Sequence, residues 1–344
     1  MVDESSPLRA MVDVARRYPS ADNSQPLQFY LGGQTISLEC SPSRCNEGHY
    51  FSPGSHAVQF SLGCALESLL ITAKNIDTPV QVLEGEGRVS CRFPDIASAK
   101  VTPAATGALL GRHTNRGPYR REPLPKAIQQ SLAGLSEGPV CAQWFETTQA
   151  NPLIQLLKEA SSLRFRSPDL VQFLASSLRS RSEEVARGDG LDIDTLCLPP
   201  GGGGLLALST SERWLPRLNR LGFHRLLALF EGMMLSQSGA LMVIYGGSLG
   251  ADARSAGQLA MRIWVELNAA GLAVHPYYVV TDQLIRKQRG AVSLALAHEV
   301  DRLEQSVIDL LGGNALHMVL RVGYARQEVV RSRRLPIGDV CELE

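Results

Sequence analysis

A stripe of Ala256, Leu259, Ala260, Ile263, Trp264, Leu267 and Ala270 recurs at helical spacing and stops at Gly271, where a C-terminal cap belongs. A second stripe, Val58, Leu62, Ala65, Leu66, Leu69, Leu70 and Ala73, marks a substantially buried helix over 56–76. Strand signals surround both. Leu27–Leu31 and Thr35–Glu39 read as a hairpin turned by Gly32-Gly33, and a second hairpin fits 79–93 around Glu84-Gly85-Glu86-Gly87. Ala240–Tyr245 and Leu316–Val322 have central-strand character. Further helices are expected over 7–18, closed by Pro19, over about 149–187, and over 293–311, stopped by Gly312-Gly313. The run Pro199–Gly204 reads as a surface loop or lid, because it lacks the Lys-Ser/Thr of a phosphate-cradling loop. The tail from Val329 to Glu344 reads as an extended arm. The expected class is therefore α+β, a mixed sheet covered by helices, with a boundary at the Pro- and Arg-rich stretch from Pro118.

The 344 residues carry 34 Lys and Arg against 34 Asp and Glu. Zero formal net charge argues against broad capture of nucleic acid or acidic membranes, which needs a surplus of cations. Small molecules are the expected partners. Met1–Pro7 holds Asp3 and Glu4 and no apolar run, and no later segment reads as an uninterrupted bilayer-spanning stretch, so a soluble cytoplasmic protein is expected. The seven cysteines lack a C-x-x-C pair and are expected as reduced thiols; the seven histidines show no metal-ligand spacing, so no metal is expected.

Two separated stretches carry the chemistry. Arg112-His113-Thr114-Asn115-Arg116 offers two guanidinium groups and a hydroxyl within five residues, suited to a phosphate and to a cation facing an anionic ring. It also suits a solvated helix end with an ordinary charge cluster. Ser20 to Gln25, bracketed by Pro19 and Pro26, supplies the amides of Asn23 and Gln25, which both donate and accept; a polar turn between helix and strand accounts for them equally.

Together the two stretches resemble signature motifs of the FMN-dependent nitroreductase family: Pro-Ser-x-x-Asn-x-Gln-Pro at 19–26 and Arg-[Arg/His]-[Ser/Thr]-x-[Lys/Arg] at 112–116. Ala270-Gly271-Leu272-Ala273-Val274-His275-Pro276 is similar to that family's flavin-facing segment, Val322–Ala325 to its late strand end, and Arg331–Pro336 to its C-terminal phosphate-binding arm. The motif order is the reverse of simple nitroreductases and resembles the longer, tandem Acg-like branch, in which two degenerate halves of one chain form an internal pseudo-dimer. Here the halves would be 1–117 and 118–344, the second carrying an insertion at about 145–235. Leu27 stands where the family usually has tryptophan, thinning the aromatic packing near the flavin.

The resemblance implies FMN as cofactor and NAD(P)H as electron donor. Hydride would pass in ping-pong fashion to a nitro, quinone-like or other electron-poor acceptor, or the protein would run in reverse as a tailoring dehydrogenase. It implies Ser20, Asn23 and Gln25 along the flavin, and Arg112, His113, Thr114, Arg331 and Arg333 around the phosphate. Arg116 would lie nearer the ring, a backbone N–H in the flavin-facing segment Val274-His275-Pro276 would face N5, and His275 and Tyr277 would face the substrate. A flavin-holding protein without turnover is the alternative. Both a monomer with an internal pseudo-dimer and a homodimer through an exchanged C-terminal arm fit the pattern.

Overall fold

The structure, a computed structural model, describes residues 6–47, 49–85, 87–148 and 151–344. In its first part lie α1 (Pro7–Ala15), β1 (Leu27–Gly32), β2 (Thr35–Cys40), α2 (His56–Asn75), β3 (Gln81–Gly85), β4 (Arg88–Arg92) and α3 (Pro103–Gly111). Both expected hairpins form. The first turns on Gly33, which alone of the two glycines takes a positive φ, 57°. Next come β5 (Tyr119–Arg120), α4 (Lys126–Leu132), β6 (Ser136–Glu137) and β7 (Val140–Phe145).

A mainly helical insertion follows: α5 (Pro152–Arg164), α6 (Pro168–Ser177), β8 (Leu178–Arg179), α7 (Ser182–Ala186), β9 (Leu191–Asp192), α8 (Gly202–Ser209), α9 (Leu215–Asn219) and α10 (Phe223–Ser236). Contrary to the loop expected there, Gly202-Gly203-Gly204 form the first turn of α8, capped by Gly201 at φ 79°. The turn is tight, since a Cβ on Gly202 would lie 2.9 Å from the Leu198 side chain. The remaining elements are β10 (Ala240–Gly246), α11 (Ala253–Ala269), β11 (Ala273–Tyr277), α12 (Val279–Gln288), α13 (Leu294–Leu311), β12 (Leu316–Ala325), α14 (Ile337–Val340) and β13 (Cys341–Leu343).

Two main sheets result. One has the order β13-β1-β2-β4-β3, the other β11-β12-β10-β7-β6 with β5 added beside β12. The sequence of four strands β1, β2, β3, β4 with α2 in its middle recurs as β7, β10, β11, β12 with α11 in its middle. The spatial orders β1-β2-β4-β3 and β7-β10-β12-β11 match, and every neighbouring pair in them is antiparallel. The second copy is elaborated twice, by the helices between β7 and β10 and by α12 and α13 between β11 and β12. From the tail, β13 returns to lie parallel to β1, pairing Phe29 with Cys341 and Leu31 with Leu343.

Helices α2 and α11 pack directly on each other, backbone to backbone. A Cβ added at Gly63 would sit 2.0 Å from the carbonyl oxygen of Arg254, and one at Gly257 would sit 2.0 Å from that of Phe60. The contact is reciprocal: each glycine meets the residue three positions before the other. Across the same seam Arg262 holds Glu67 at 2.7 Å, and it also holds Glu137 of β6 at 2.8 Å. By length and composition α2 would also suit a membrane span, but it is mostly buried within the protein. Strand β10 is apolar on both faces, as a covered central strand requires: Met242 and Ile244 join the core around α2 and α11, while Leu241 and Val243 join a second core under α5, α12 and α13.

A buried chain of side chains also crosses between the two four-strand units. His317 Nε2 contacts the carbonyl of Gly246 at 2.8 Å, so that nitrogen carries the proton, and its Nδ1 accepts from His56 Nε2 at 2.9 Å. His56 Nδ1 then accepts from the Tyr278 hydroxyl at 3.0 Å. One carbonyl thus fixes both tautomers. Burial, with His317 adding to it, pushes the His56 pKa down to about 3, and burial lowers His317 as well.

Two outcomes are expected. Gly257→Ala should cost about 1–3 kcal/mol by forcing α2 and α11 apart, read as a lowered urea midpoint; an unchanged midpoint would show that the crossing yields freely. Below the ordinary histidine value of 6.5 the unfolded chain takes up protons that folded His56 refuses, so stability should be level above it and fall as pH drops toward about 3. His56→Phe should flatten that slope, by at most about 1.4 kcal/mol per pH unit, in thermal melts taken across the range.

Candidate functional site

After α1 the chain passes through residues 20–26 in a strained turn. Asp22, Asn23 and Gln25 have φ of 47°, 57° and 48°, a left-handed conformation that side chains other than glycine's rarely adopt. Side-chain bonds hold it there. The Gln25 N–H donates to Ser20 Oγ at 3.0 Å, and the Leu27 N–H donates to the Tyr18 hydroxyl at 3.0 Å.

The amides of Asn23 and Gln25, expected along the flavin, are buried and engaged by the chain's own backbone and by the Arg334 side chain. Asn23 Nδ2 donates to the carbonyls of Gly190 at 3.0 Å and Arg333 at 3.1 Å, with Gly188 at 3.3 Å. Gln25 Nε2 donates to Gly188 at 2.9 Å, and its Oε1 accepts from the Leu335 N–H at 3.0 Å. Arg334 Nη1 donates to Asn23 Oδ1. The two amides thus fasten three segments: the 20–26 turn, the 188–190 turn and the arm at 333–335. Arg44 reinforces the junction by donating to the carbonyls of Gln25 and Leu27.

Beside this junction guanidinium groups gather. Arg112, 7 % exposed, follows α3, lies over the Trp264 ring at 4.7 Å and donates to the Arg17 carbonyl at 2.7 Å. Burial pushes its pKa down to about 10, and Arg331 acts in the same direction. Arg334 is pushed down to about 9 by burial and then by Arg112. Among the described residues no carboxylate lies within 4 Å of Arg112, Arg331 or Arg334. The Nε atoms of Arg112 and Arg334 are buried without partners. Arg333, the expected member, is exposed and is held by its backbone carbonyl; Arg334 takes the place in the cluster.

Residues 112–116 run alongside β11. Thr114 bridges Val274, and the Asn115 N–H donates to the Val274 carbonyl at 2.9 Å. His113 is locked: its Nδ1 contacts the Gly111 carbonyl at 2.8 Å, its N–H donates to Asn268 and its carbonyl accepts from Trp264. The structure therefore brings the 112–116 segment, β11, the 20–26 turn and the arm to one place, with Arg334 between Arg112 and Asn23.

Beyond the arginines lies a second group of polar residues. Arg116 is half-buried with Nη1 unpartnered; burial lowers its pKa and Asp22 opposes that. Burial raises Asp22, against Arg164 and Arg116. His275 and Tyr277 on β11 have ring centroids 4.5 Å apart. Burial holds His275 well below the ordinary histidine value and pushes Tyr277 up to about 12, so both are neutral near pH 7. Pro276, between them, has no N–H to offer a ligand. Opposite His275 in the ladder stands Arg321, 1 % exposed, stacked on Tyr119 at 3.7 Å and donating to the Gly117 carbonyl. Arg321 is not among the residues expected at the site, although an arginine inside the apolar run of β12 signals it.

Solved structures to which the chain is similar include three proteins. The nitroreductase-like family protein from Bacillus cereus is 11% identical over 70% of this chain and 94% of that chain, with a TM-score of 0.33. The FMN-dependent nitroreductase NfnB from Mycobacterium smegmatis, in complex with NADPH, is 16% identical over 70% of this chain and 97% of that chain, at 0.34. Iodotyrosine deiodinase bound to FMN and 3-iodo-L-tyrosine is 14% identical over 67% of this chain and 94% of that chain, at 0.33. No protein-family model and no curated protein matches the sequence. All three TM-scores lie below 0.5, and the architecture stands on the strand orders given above.

Asn23→Ala should leave the Gly190 carbonyl without its side-chain donor and the Arg333 carbonyl with Arg334 alone, at about 1–3 kcal/mol, and loosen the arm first. Trypsin should then cut at Arg331, Arg333 and Arg334 faster than in the parent. Equal cleavage rates would mean that the arm is anchored elsewhere.

Proposed function

We propose that the protein is an FMN oxidoreductase that takes reducing equivalents from NADH or NADPH and passes them to a small electron-poor acceptor. The observation that carries this reading is the gathering of Arg112, Arg331 and Arg334 where, among the described residues, no carboxylate balances them. Arg112 is buried, Arg334 half-buried and Arg331 exposed at the rim; cations so placed without counter-ions suit a doubly charged phosphate, and the unpartnered Nε atoms of Arg112 and Arg334 are ready donors for one. Thr114 and His113 stand in the same segment as Arg112. At the ring end the proposed lining is Val274 to Tyr277 on β11 together with Arg116.

When bound, FMN supplies the hydride chemistry, and the protein's task is positioning and electrostatics. Arg116 offers positive charge where a reduced ring would be anionic. His275 stays neutral and Tyr277 keeps its proton, so the hydroxyl is a donor and adds no charge. Ser20, Asn23 and Gln25 act in this reading as the frame that fastens Arg331 and Arg334 in place. The chain is proposed as two halves meeting near residue 117, with a monomer favoured because β13 fills the edge beside β1 from within the same chain.

A second reading, an FMN-holding protein without turnover, is favoured by the 188–190 turn, which closes on the amides of Asn23 and Gln25. One experiment separates the two. The purified protein, reconstituted with FMN, should show flavin absorbance that NADH or NADPH bleaches without oxygen. Bound flavin that neither donor bleaches would establish the second reading, and no flavin bands at all would reject both. Arg112→Ala should weaken FMN retention by about 1–3 kcal/mol; unchanged affinity would remove Arg112 from the phosphate.

A further inference from the structure

Helix α10 docks by one face and leaves the other apolar and uncovered. Leu227, Ala228, Gly232 and Leu235 are buried, and a Cβ on Gly232 would lie 2.6 Å from the Lys158 side chain on α5. On the opposite side Leu226, Leu229, Phe230 and Met233, at helical spacing i, i+3, i+4 and i+7, are between 41 and 49 % exposed. Leu221, just ahead of the helix, is 86 % exposed. A contiguous stripe of this kind on a water-soluble surface marks an interaction site.

Its surroundings are basic. Arg217, Arg220 and Arg225 are exposed next to it. Trp214 lies under the guanidinium groups of Arg213 and Arg217, at 5.2 and 5.6 Å from its centroid, and is itself about half exposed. Glu212 is the exposed carboxylate of this stretch, while Glu231 sits on the half-buried flank of α10 near Arg164 and Ser161. A chain with zero formal net charge therefore concentrates positive charge around one apolar helix face.

We propose that this face docks on an anionic lipid surface, with Leu229 and Phe230 entering the interface and the arginines meeting lipid phosphates. Leucine, phenylalanine and methionine on one side of a helix, flanked by arginine and by a tryptophan at the margin, are the ingredients of a helix that lies in the interface plane. Charge decides between the occupants. A second copy of this chain would set the same arginines against each other across a two-fold contact, whereas an anionic bilayer complements them. The overall charge balance excludes only broad electrostatic capture; a local patch does not need a global surplus. The inference is independent of the flavin reading.

The test is co-sedimentation of the full chain with vesicles of phosphatidylcholine alone and of phosphatidylcholine mixed with phosphatidylglycerol, alongside sedimentation velocity without lipid. The mixed vesicles should pellet the protein and the neutral ones should not. Raising salt from about 0.1 M to about 0.5 M should weaken the binding. The exposed double variant L229Q/F230Q should bind about tenfold less with an unchanged circular dichroism spectrum, and R217Q/R220Q should lose the preference for anionic lipid. Failure of the parent to pellet with anionic vesicles would overturn the proposal. Equal pelleting by L229Q/F230Q would do the same, as would a lipid-free dimer that this variant dissolves.

Discussion

The backbone contact between α2 and α11 sets the geometry of everything else. Gly63 and Gly257 let two long apolar helices approach to a distance at which any side chain would strike a carbonyl oxygen. Each helix links the second and third strands of its own four-strand unit, so the crossing fixes how the two units lie against each other. It also reaches the candidate site. Trp264 on α11 presents its ring to Arg112 and its indole N–H to the His113 carbonyl, so a change in the crossing would move the cationic segment with it.

The cationic end is held together against its own repulsion. Burial lowers the pKa of both Arg112 and Arg334; Arg331 lowers Arg112 further and Arg112 lowers Arg334 further. What keeps them close is hydrogen bonding to neutral groups: the Arg17 carbonyl for Arg112, Asn23 for Arg334, and the amide junction that secures the arm. Such an arrangement is stabilised by any anion that binds the folded form alone, since binding then adds to folding stability by mass action.

Much of the fold is legible in the chain because its signals are local. Periodicity marks α2, α11 and α13, with terminal glycines for α11 and α13, and alternating strands with a short glycine turn mark both early hairpins. The glycine run at 201–204 misleads because Gly202 starts a helix in close approach to Leu198 and Pro199, a contact that composition does not express. In the site, residue types were readable but partners were not. An amide suits a peptide carbonyl as well as a heterocycle, so Asn23 and Gln25 could be singled out without revealing that Gly188 and Gly190 engage them. Likewise the arm alternates, and whether Arg333 or Arg334 turns inward is decided by the bonds to the Arg333 carbonyl and the Leu335 N–H, a register that no local pattern encodes.

The parallel pairing of β13 with β1 has a consequence for how the molecule is made. The first sheet gains its outer strand from residues 341–343, whose partners lie at 29–31. During synthesis from the amino end, that edge stays open until residues 341–343 have been translated. Such distant pairing is slow, and an open strand edge is a template for the wrong neighbour. Late closure would make nascent chains of this protein dependent on protection from one another until the tail arrives.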